Sequence, residues 1–314
     1  MATTAYDVVI VGGGAAGLSA ALVLGRARRR VLVVDAGAPR NAPAAHMQGY
    51  LSRDGMPPSE LLAAGREEIA RYGVDLVVDA VVGLRPAGAV DGEPSFDVEL
   101  ASGDVVVGRR VLVTTGVRDD VPEVAGVRER WGRDLLHCPY CHGWEVRDQP
   151  LAVLGGFAGS VDHALLLRQW SDDVVFLAHT YELAAEEREQ LAACSVPVVE
   201  GHVARLVVEG DRLAGVELED GRTVRRTAVF VRPRIVPHAD GLLAGLGCDV
   251  EPSGFVATDR MGATSVPGVW AAGNVADPRA QVITAAGAGS AAAIAINADL
   301  VTADVARSVA AARA

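Results

Sequence analysis

Cys138-Pro139-Tyr140-Cys141-His142 places two thiols two residues apart and follows them with an imidazole. Cysteines at this spacing can close a small ring in which one sulfur is exposed and has a lowered pKa, ready for thiol–disulfide exchange. A substrate thiol with a pKa of about 8.5 is mostly protonated at neutral pH, so a base within reach speeds its attack on such a ring. His142, whose unperturbed pKa would be about 6.5, suits that proton transfer. His137, on the other flank, is the second candidate. The same string admits other chemistry. Cys-x-x-Cys-His is a haem-attachment signature, His137, Cys138, Cys141 and His142 could ligate zinc, and the pair could be a buried structural disulfide. Haem attachment needs export, and no export signal is visible. Structural zinc usually draws on a second pair, and Cys194 and Cys248 are single. A structural disulfide is disfavoured in a cytoplasmic setting. Redox exchange is the expectation, with no metal.

The elements that must hold this pair are best marked at the two ends of the chain. Tyr6–Val11 reads as a buried strand of β-branched residues, Gly12-Gly13-Gly14-Ala15-Ala16-Gly17 as a turn and Leu18–Arg28 as a helix. Val31–Val34 is a second strand, closed by Asp35. Strand, glycine turn, helix, strand and terminal acid make a dinucleotide-binding βαβ unit. Gly12 permits the tight turn, Gly14 lets a pyrophosphate approach the backbone, and Gly17 lets helix and strand pack closely. The helix N-terminus offers free N–H groups to the phosphates. Ser95–Leu100 and Val105–Val113 flank Gly103-Asp104 as a hairpin. Gln149–Gly156, the helix Val161–Trp170 and Val174–Leu177 repeat the strand-turn-helix-strand pattern, and an Asp-Gly turn lies in Glu217–Thr223. Val269–Asn274 is a strand and turn ahead of an Ala-rich helix covering Ala285–Ala298.

With 314 residues, half of them hydrophobic, the chain suits two domains with large cores. Residues 1–117 and 242–314 are expected to form one α/β domain, interrupted by a second Rossmann-like domain over 118–241. A net charge of -11 argues against a nucleic-acid partner. The apolar stretch Val8–Val11 is too short for a membrane helix and lacks a preceding basic region, so a cytoplasmic protein is expected. Cys194 and Cys248 are expected to be small buried hydrophobes.

In this arrangement the sequence resembles the low-molecular-weight thioredoxin reductases over essentially its whole length. The matching motifs are Gly12-x-Gly14-x-x-Gly17, Thr114-Thr115-Gly116, Cys138-x-x-Cys141 and Ala271-Ala272-Gly273-Asn274. The resemblance implies two Rossmann-like dinucleotide-binding domains, FAD in the first, a homodimer, and the cysteine pair against the flavin. By that likeness the FAD contacts fall on Gly12, Gly14, Ala15, Ala16, Gly17, Asp35, Ala36, Arg40, Asn41, Thr115, Gly116, Gly273, Asn274, Gln281 and Val282. It makes Cys141 the flavin-proximal sulfur and Cys138 the one a substrate attacks, with His142 where the reductases carry an acid–base aspartate. His46 falls in a loop expected to wrap the flavin.

The chain departs from the reductases at the second dinucleotide turn. Their middle domain carries a glycine fingerprint and a His-Arg-Arg cluster for NADPH. Here the turn reads Gly155-Gly156-Phe157-Ala158-Gly159-Ser160, and the following strand ends in Leu177-Ala178-His179-Thr180. Phe157 blocks the approach of a pyrophosphate, and each missing arginine forfeits a charge-assisted bond of roughly 1.5–3 kcal/mol. With NADPH excluded, electrons are expected to enter from a small-molecule dithiol and leave through FAD to dioxygen. That is the activity of the flavoprotein dithiol oxidases of the gliotoxin and holomycin type, whose redox motif Cys-Pro-Tyr-Cys-His resembles. The alternative is a thioredoxin or small-disulfide reductase using NADPH or another donor. Tyr140 and Trp144 could line a pocket for a heteroaromatic substrate or could be core.

Overall fold

The computed structural model describes residues 5–90, 93–238 and 240–313. The chain divides into two compact units, Met1–Arg40 with Ser59–Arg118 and Val236–Ala314, and Asn41–Pro58 with Asp119–Ile235. The first segment carries β1 (Ala5–Val11), α1 (Ala15–Arg26), β2 (Val31–Asp35), α2 (Pro58–Ala70), β3 (Asp75–Val78), β4 (Val81–Val90), β5 (Glu93–Leu100) and β6 (Val105–Val113). There follow β7 (Val117–Asp120), α3 (Val127–Arg130), β8 (Leu135–Leu136), α4 (Pro139–His142), β9 (Leu151–Leu154), α5 (Ser160–Leu167), β10 (Val174–Leu177), α6 (Ala185–Ala193) and β11 (Val198–Val199). The rest is β12 (Val203–Glu209), β13 (Arg212–Leu218), β14 (Thr223–Arg225), β15 (Ala228–Val231), β16 (Arg234–Pro237), α7 (Leu242–Gly245), β17 (Val269–Ala271) and α8 (Val282–Arg313).

In the first unit β3, β2, β1, β6 and β17 run parallel, with Val11 level with both Val34 and Val113, and Val113 level with Ala271. β5 pairs antiparallel with the first half of β6 and extends the sheet through β4. Val8, Val9 and Ile10 are wholly buried because both faces are covered, as parallel strands require. Each such side chain contributes about 1.5–3 kcal/mol by leaving water. α1 and α8 share one face, and a Cβ at Gly289 would lie 2.0 Å from the Ala16 carbonyl oxygen. α1 starts at Ala15, earlier than Leu18, because Gly14 is already its N-cap. It stops at Arg26, and Arg28 turns left-handed (φ 62°). α8 runs well past Ala298 to Arg313. By length and composition α8 could cross a membrane, but its Gly289, Ala292, Ala293, Ile296 and Leu300 are buried in the first unit.

The second unit is built on the parallel sheet β11-β10-β9-β15-β8. β9 is buried throughout, with β10 and β15 on either side. A second, antiparallel sheet, β12-β13-β14, carries the Asp-Gly turn. The domain limits differ from the expected ones in two ways. The return crossing falls at Ile235–Val236, not near Gly241, because β16 pairs with β7 there. The irregular segment 41–58 packs with the second unit: Pro43 lies against Gly132, and Gln48 Nε2 donates to Glu145 Oε1 at 3.1 Å.

Candidate active site

Cys138 and Cys141 are joined in a disulfide with Cα atoms 5.2 Å apart. The sequence makes this local. Strand β8 delivers Leu136 and His137, Cys138 is the extended N-cap of α4, and Pro139 fits the first helical position, where no N–H is needed. The Cys141 and His142 N–H groups both donate to the Cys138 carbonyl at 3.1 Å, which folds Cys141 back onto Cys138. Gly143 closes the turn. A Cβ there would lie 2.8 Å from Trp170, so no larger residue fits.

Both predicted histidines flank this disulfide in the chain. His142 is half-buried, and that burial pushes its pKa below the ordinary value, with Glu145 opposing the shift. It is therefore a neutral imidazole at pH 7, able to take a proton. His137 lies edge-on to His163, ring centres 6.4 Å apart, and His163 in turn meets Phe230 at 5.9 Å. His163 has its pKa pushed down to about 3, first by burial and then by His137 and Arg232. Sequence spacing gave no hint of His163, which sits on the buried face of α5, 21 positions from His142 and brought in by the β8–β15 pairing.

In the first unit the glycine turn keeps a cradle open. Gly12 has φ +105°, and a Cβ there would lie 2.6 Å from the Thr114 carbonyl oxygen. A Cβ at Gly17 would lie 1.9 Å from the Gly12 carbonyl oxygen. Gly14 faces open space, as does left-handed Gly116 (φ +74°). The carboxylate of Asp35 closes over Gly13 and is held by Arg66 at 3.0 Å, leaving acceptor capacity on a carboxylate that can take several donors. Arg66, on α2, went unnoticed in the sequence. The register brings the ends of β1, β2, β6 and β17 level, so Gly12–Gly17, Asp35, Ala36, Thr115, Gly116, Gly273 and Asn274 gather at one sheet edge. Asn274 Nδ2 donates to the carbonyls of Asp277, Pro278 and Ala280 at 2.9–3.3 Å, fixing the turn that leads to Gln281 and to Val282 at the head of α8. These residues fit an extended dinucleotide such as FAD: Gly14, the N-cap of α1, leaves open space in front of free helix N–H groups that suit a phosphate. Arg40 is the last residue counted with this unit, whereas Asn41 falls in the second.

The second turn is different. Gly155 is tight against the Ala178 carbonyl (2.6 Å from a Cβ there), while the Arg232 guanidinium lies across Gly159 and donates to its carbonyl at 3.3 Å. Beside it is a cleft of about 510 Å³ lined by Gly156, Phe157, His179, Thr180, His202, Glu123 and Glu219 among others. It holds two carboxylates and no arginine. His179 accepts the Val203 N–H through Nδ1 at 3.0 Å, and burial followed by His202 lowers its pKa.

Tyr140 and Trp144 are not core: each is 65% exposed. Cys194 is exposed too, against expectation, because it caps the last turn of solvent-facing α6, whereas Cys248 is buried against Thr264. His46 is exposed within segment 41–58, beside buried Met47. Among the described residues no cluster of three or more His, Cys, Asp or Glu could hold a metal ion.

Comparison with known proteins agrees with this geometry. The chain matches the pyridine nucleotide-disulphide oxidoreductase family over residues 6–290. It is 34% identical over 184 residues to a probable thioredoxin reductase of Arthroderma benhamiae, covering 58% of this chain and 46%, about half, of that protein. It is 32% identical to the thioredoxin reductase sirT of Leptosphaeria maculans over 96% of each chain. The crystal structure of HlmI superposes with a TM-score of 0.96 at 60% identity, covering 98% of this chain and 96% of the other. The chain is a member of the pyridine nucleotide-disulphide oxidoreductase family, an FAD-binding flavoprotein that exchanges thiols and disulfides.

Proposed function

We propose that the protein oxidises a small-molecule dithiol to an intramolecular disulfide, with dioxygen as the final acceptor. One substrate thiolate attacks Cys138, forming a mixed disulfide and releasing Cys141 as a thiolate. The second substrate thiol then attacks the substrate sulfur of that mixed disulfide, closing the cyclic product and freeing Cys138. The two substrate protons pass to the cysteines, with His142 as the base that takes them and His137 as the second candidate. Bound FAD supplies a two-electron acceptor for the resulting dithiol, held by the Gly12–Gly17 turn, Asp35 and the Gly273–Val282 segment. In sum, R(SH)2 and O2 give the cyclic disulfide RS2 and H2O2.

The observation that carries this reading is the contrast at the second dinucleotide turn. Phe157 stands where the reductases carry a glycine, the Arg232 guanidinium lies across Gly159, and the adjoining cleft presents Glu123 and Glu219 and no arginine. The likeness to the thioredoxin reductase sirT supports thiol–disulfide exchange as the underlying chemistry. The cleft and the reductase relatives favour one alternative, reduction of a disulfide by NADPH. Oxygen uptake with dithiothreitol and no added nucleotide, giving one H2O2 per dithiol, tests the proposal. Uptake that depends on NADPH sinks it.

A homodimer in the cytoplasm is part of this proposal. Val301, Val305 and Val309, each four residues from the last, leave an exposed apolar stripe on α8 that a second copy would cover. Sedimentation of the holoprotein at twice the chain mass supports it, and a monomer at micromolar concentration counts against it.

A further inference from the structure

Stability does not explain the ion pair between Arg66 and Asp35. Arg66 Nη2 donates to Asp35 Oδ2 at 3.0 Å, and the Arg66 side chain is 41% exposed. An ion pair this open to water adds little to a fold. The Arg66 Nε is buried with no acceptor among the described residues, which costs more than such a pair contributes. An unbranched apolar side chain there would leave no orphan donor. The packing of α2 nevertheless brings a cation to this point. Leu62 and Ile69 are buried, and Gly65 approaches α1 so closely that a Cβ would lie 3.0 Å from Leu18. Arg66, one turn after Leu62, is thereby carried to Asp35 at the end of β2.

The Asp35 carboxylate is confined from a second direction. A Cβ on Gly13 would lie 2.7 Å from its carboxyl carbon, so only glycine lets the carboxylate lie over the turn. Arg66 holds Oδ2, while Oδ1 accepts from no described residue. An acid ending the second strand of such a βαβ unit takes the hydroxyl donors of an adenosine ribose.

We infer that Arg66 is a positioning residue for the cofactor: it fixes the Asp35 carboxylate over Gly13 and so makes the site prefer FAD to FMN. FMN carries the flavin and one phosphate but no adenosine, so it offers Asp35 nothing to hold. Arg66 acts through Asp35. The role holds whichever way electrons flow, because it concerns only FAD in the first unit.

Displacement of FAD from the holoprotein by FMN, at a fixed excess of free FAD, tests it, with bound flavin read by chromatography. The FMN concentration that displaces half the FAD should fall about tenfold in Arg66→Met, the scale of one weakened charge-assisted hydrogen bond. Arg66→Lys, which keeps the charge, should recover most of the preference. Gly13→Ala should shift it in the same direction as Arg66→Met, since its methyl displaces the carboxylate. Added to Asp35→Ala, Arg66→Met should change nothing further, because both act on one contact. Loaded with FMN, Arg66→Met should melt no lower than the wild type. An unchanged displacement concentration overturns the inference, and a lower melting temperature with it assigns Arg66 to the packing of α2. An effect of Arg66→Met that persists in Asp35→Ala also overturns it, by giving the cation a contact of its own. So does a wild-type preference in Asp35→Ala alone, which would put ribose recognition elsewhere.

Discussion

The two dinucleotide turns share a plan and diverge in what their side chains leave open. Each follows a buried strand, β1 or β9, and each leads into a helix packed on its sheet. In the first, the places that would collide with a side chain are backbone contacts, at Gly12 and Gly17, and the place meant for a ligand, Gly14, is empty. In the second, the corresponding approach carries Phe157, and the would-be Cβ of Gly159 meets the movable end of Arg232. A Rossmann frame survives through strand register and core packing, which do not need the ligand. Nucleotide affinity depends on a few exposed residues that the core does not protect. The second unit keeps its fold, and the chemistry proposed for that unit rests on Cys138, Cys141 and the adjoining histidines.

The contrast can be broken most sharply at the first turn. Gly17→Ala pushes a methyl into the Gly12 carbonyl, so the purified protein should lose its flavin absorbance; retention of stoichiometric FAD would mean the turn is less constrained than its geometry says. The next largest effect belongs to the second unit. His142→Asn should slow anaerobic flavin bleaching by a dithiol by about 10²–10³ with FAD content unchanged, the usual span for losing a general base. The pH dependence has a definite sign. A base works when neutral, and burial lowers the pKa of His142, so the acid limb of the wild-type rate should fall below pH 6.5 and vanish in the variant. Stopped-flow bleaching across pH 5–8 reads both.

A smaller effect would convert one turn toward the other. Phe157→Gly with His179→Arg and Thr180→Arg should tighten NADPH binding by at least about tenfold, since each charge-assisted bond contributes roughly 1.5–3 kcal/mol. Calorimetric titration checks it, and no gain would place the block elsewhere. His163 gives a stability test of similar size. Its folded-state pKa of about 3 lies under the unfolded value. The unfolded chain therefore takes up a proton first, and stability is lost as pH falls below about 6.5. From pH 6.5 to 5 the loss is about 2 kcal/mol. In His163→Phe urea midpoints should vary correspondingly less over that range. The smallest effect is Gly159→Ala, where only Arg232 must move and a left-handed alanine costs about 1 kcal/mol.

The first unit was legible because its signals are local: a β-branched strand, glycines at fixed offsets and an acid after the next strand. The departure of the second turn from the glycine fingerprint was legible for the same reason, through Phe157 and the missing arginines. Contacts formed across the fold were not. Nothing in the irregular stretch 41–58 says that it packs with the second unit, and nothing near Cys138 points to His163 or Arg232, which adjacent strands bring alongside. Exposure was misjudged where composition was the only guide, at Cys194. At Tyr140 and Trp144 composition left pocket and core equally open.

The central claim is that electrons enter through the disulfide and not through the second nucleotide turn. Anaerobic titration of the FAD-loaded protein tests it directly, with NADPH in one cuvette and dithiothreitol in another. The account predicts full flavin bleaching by one equivalent of dithiol bound and oxidised, none in Cys138→Ser, and no bleaching by NADPH at micromolar concentration. Rapid bleaching by NADPH with a flavin inert to dithiols would contradict it.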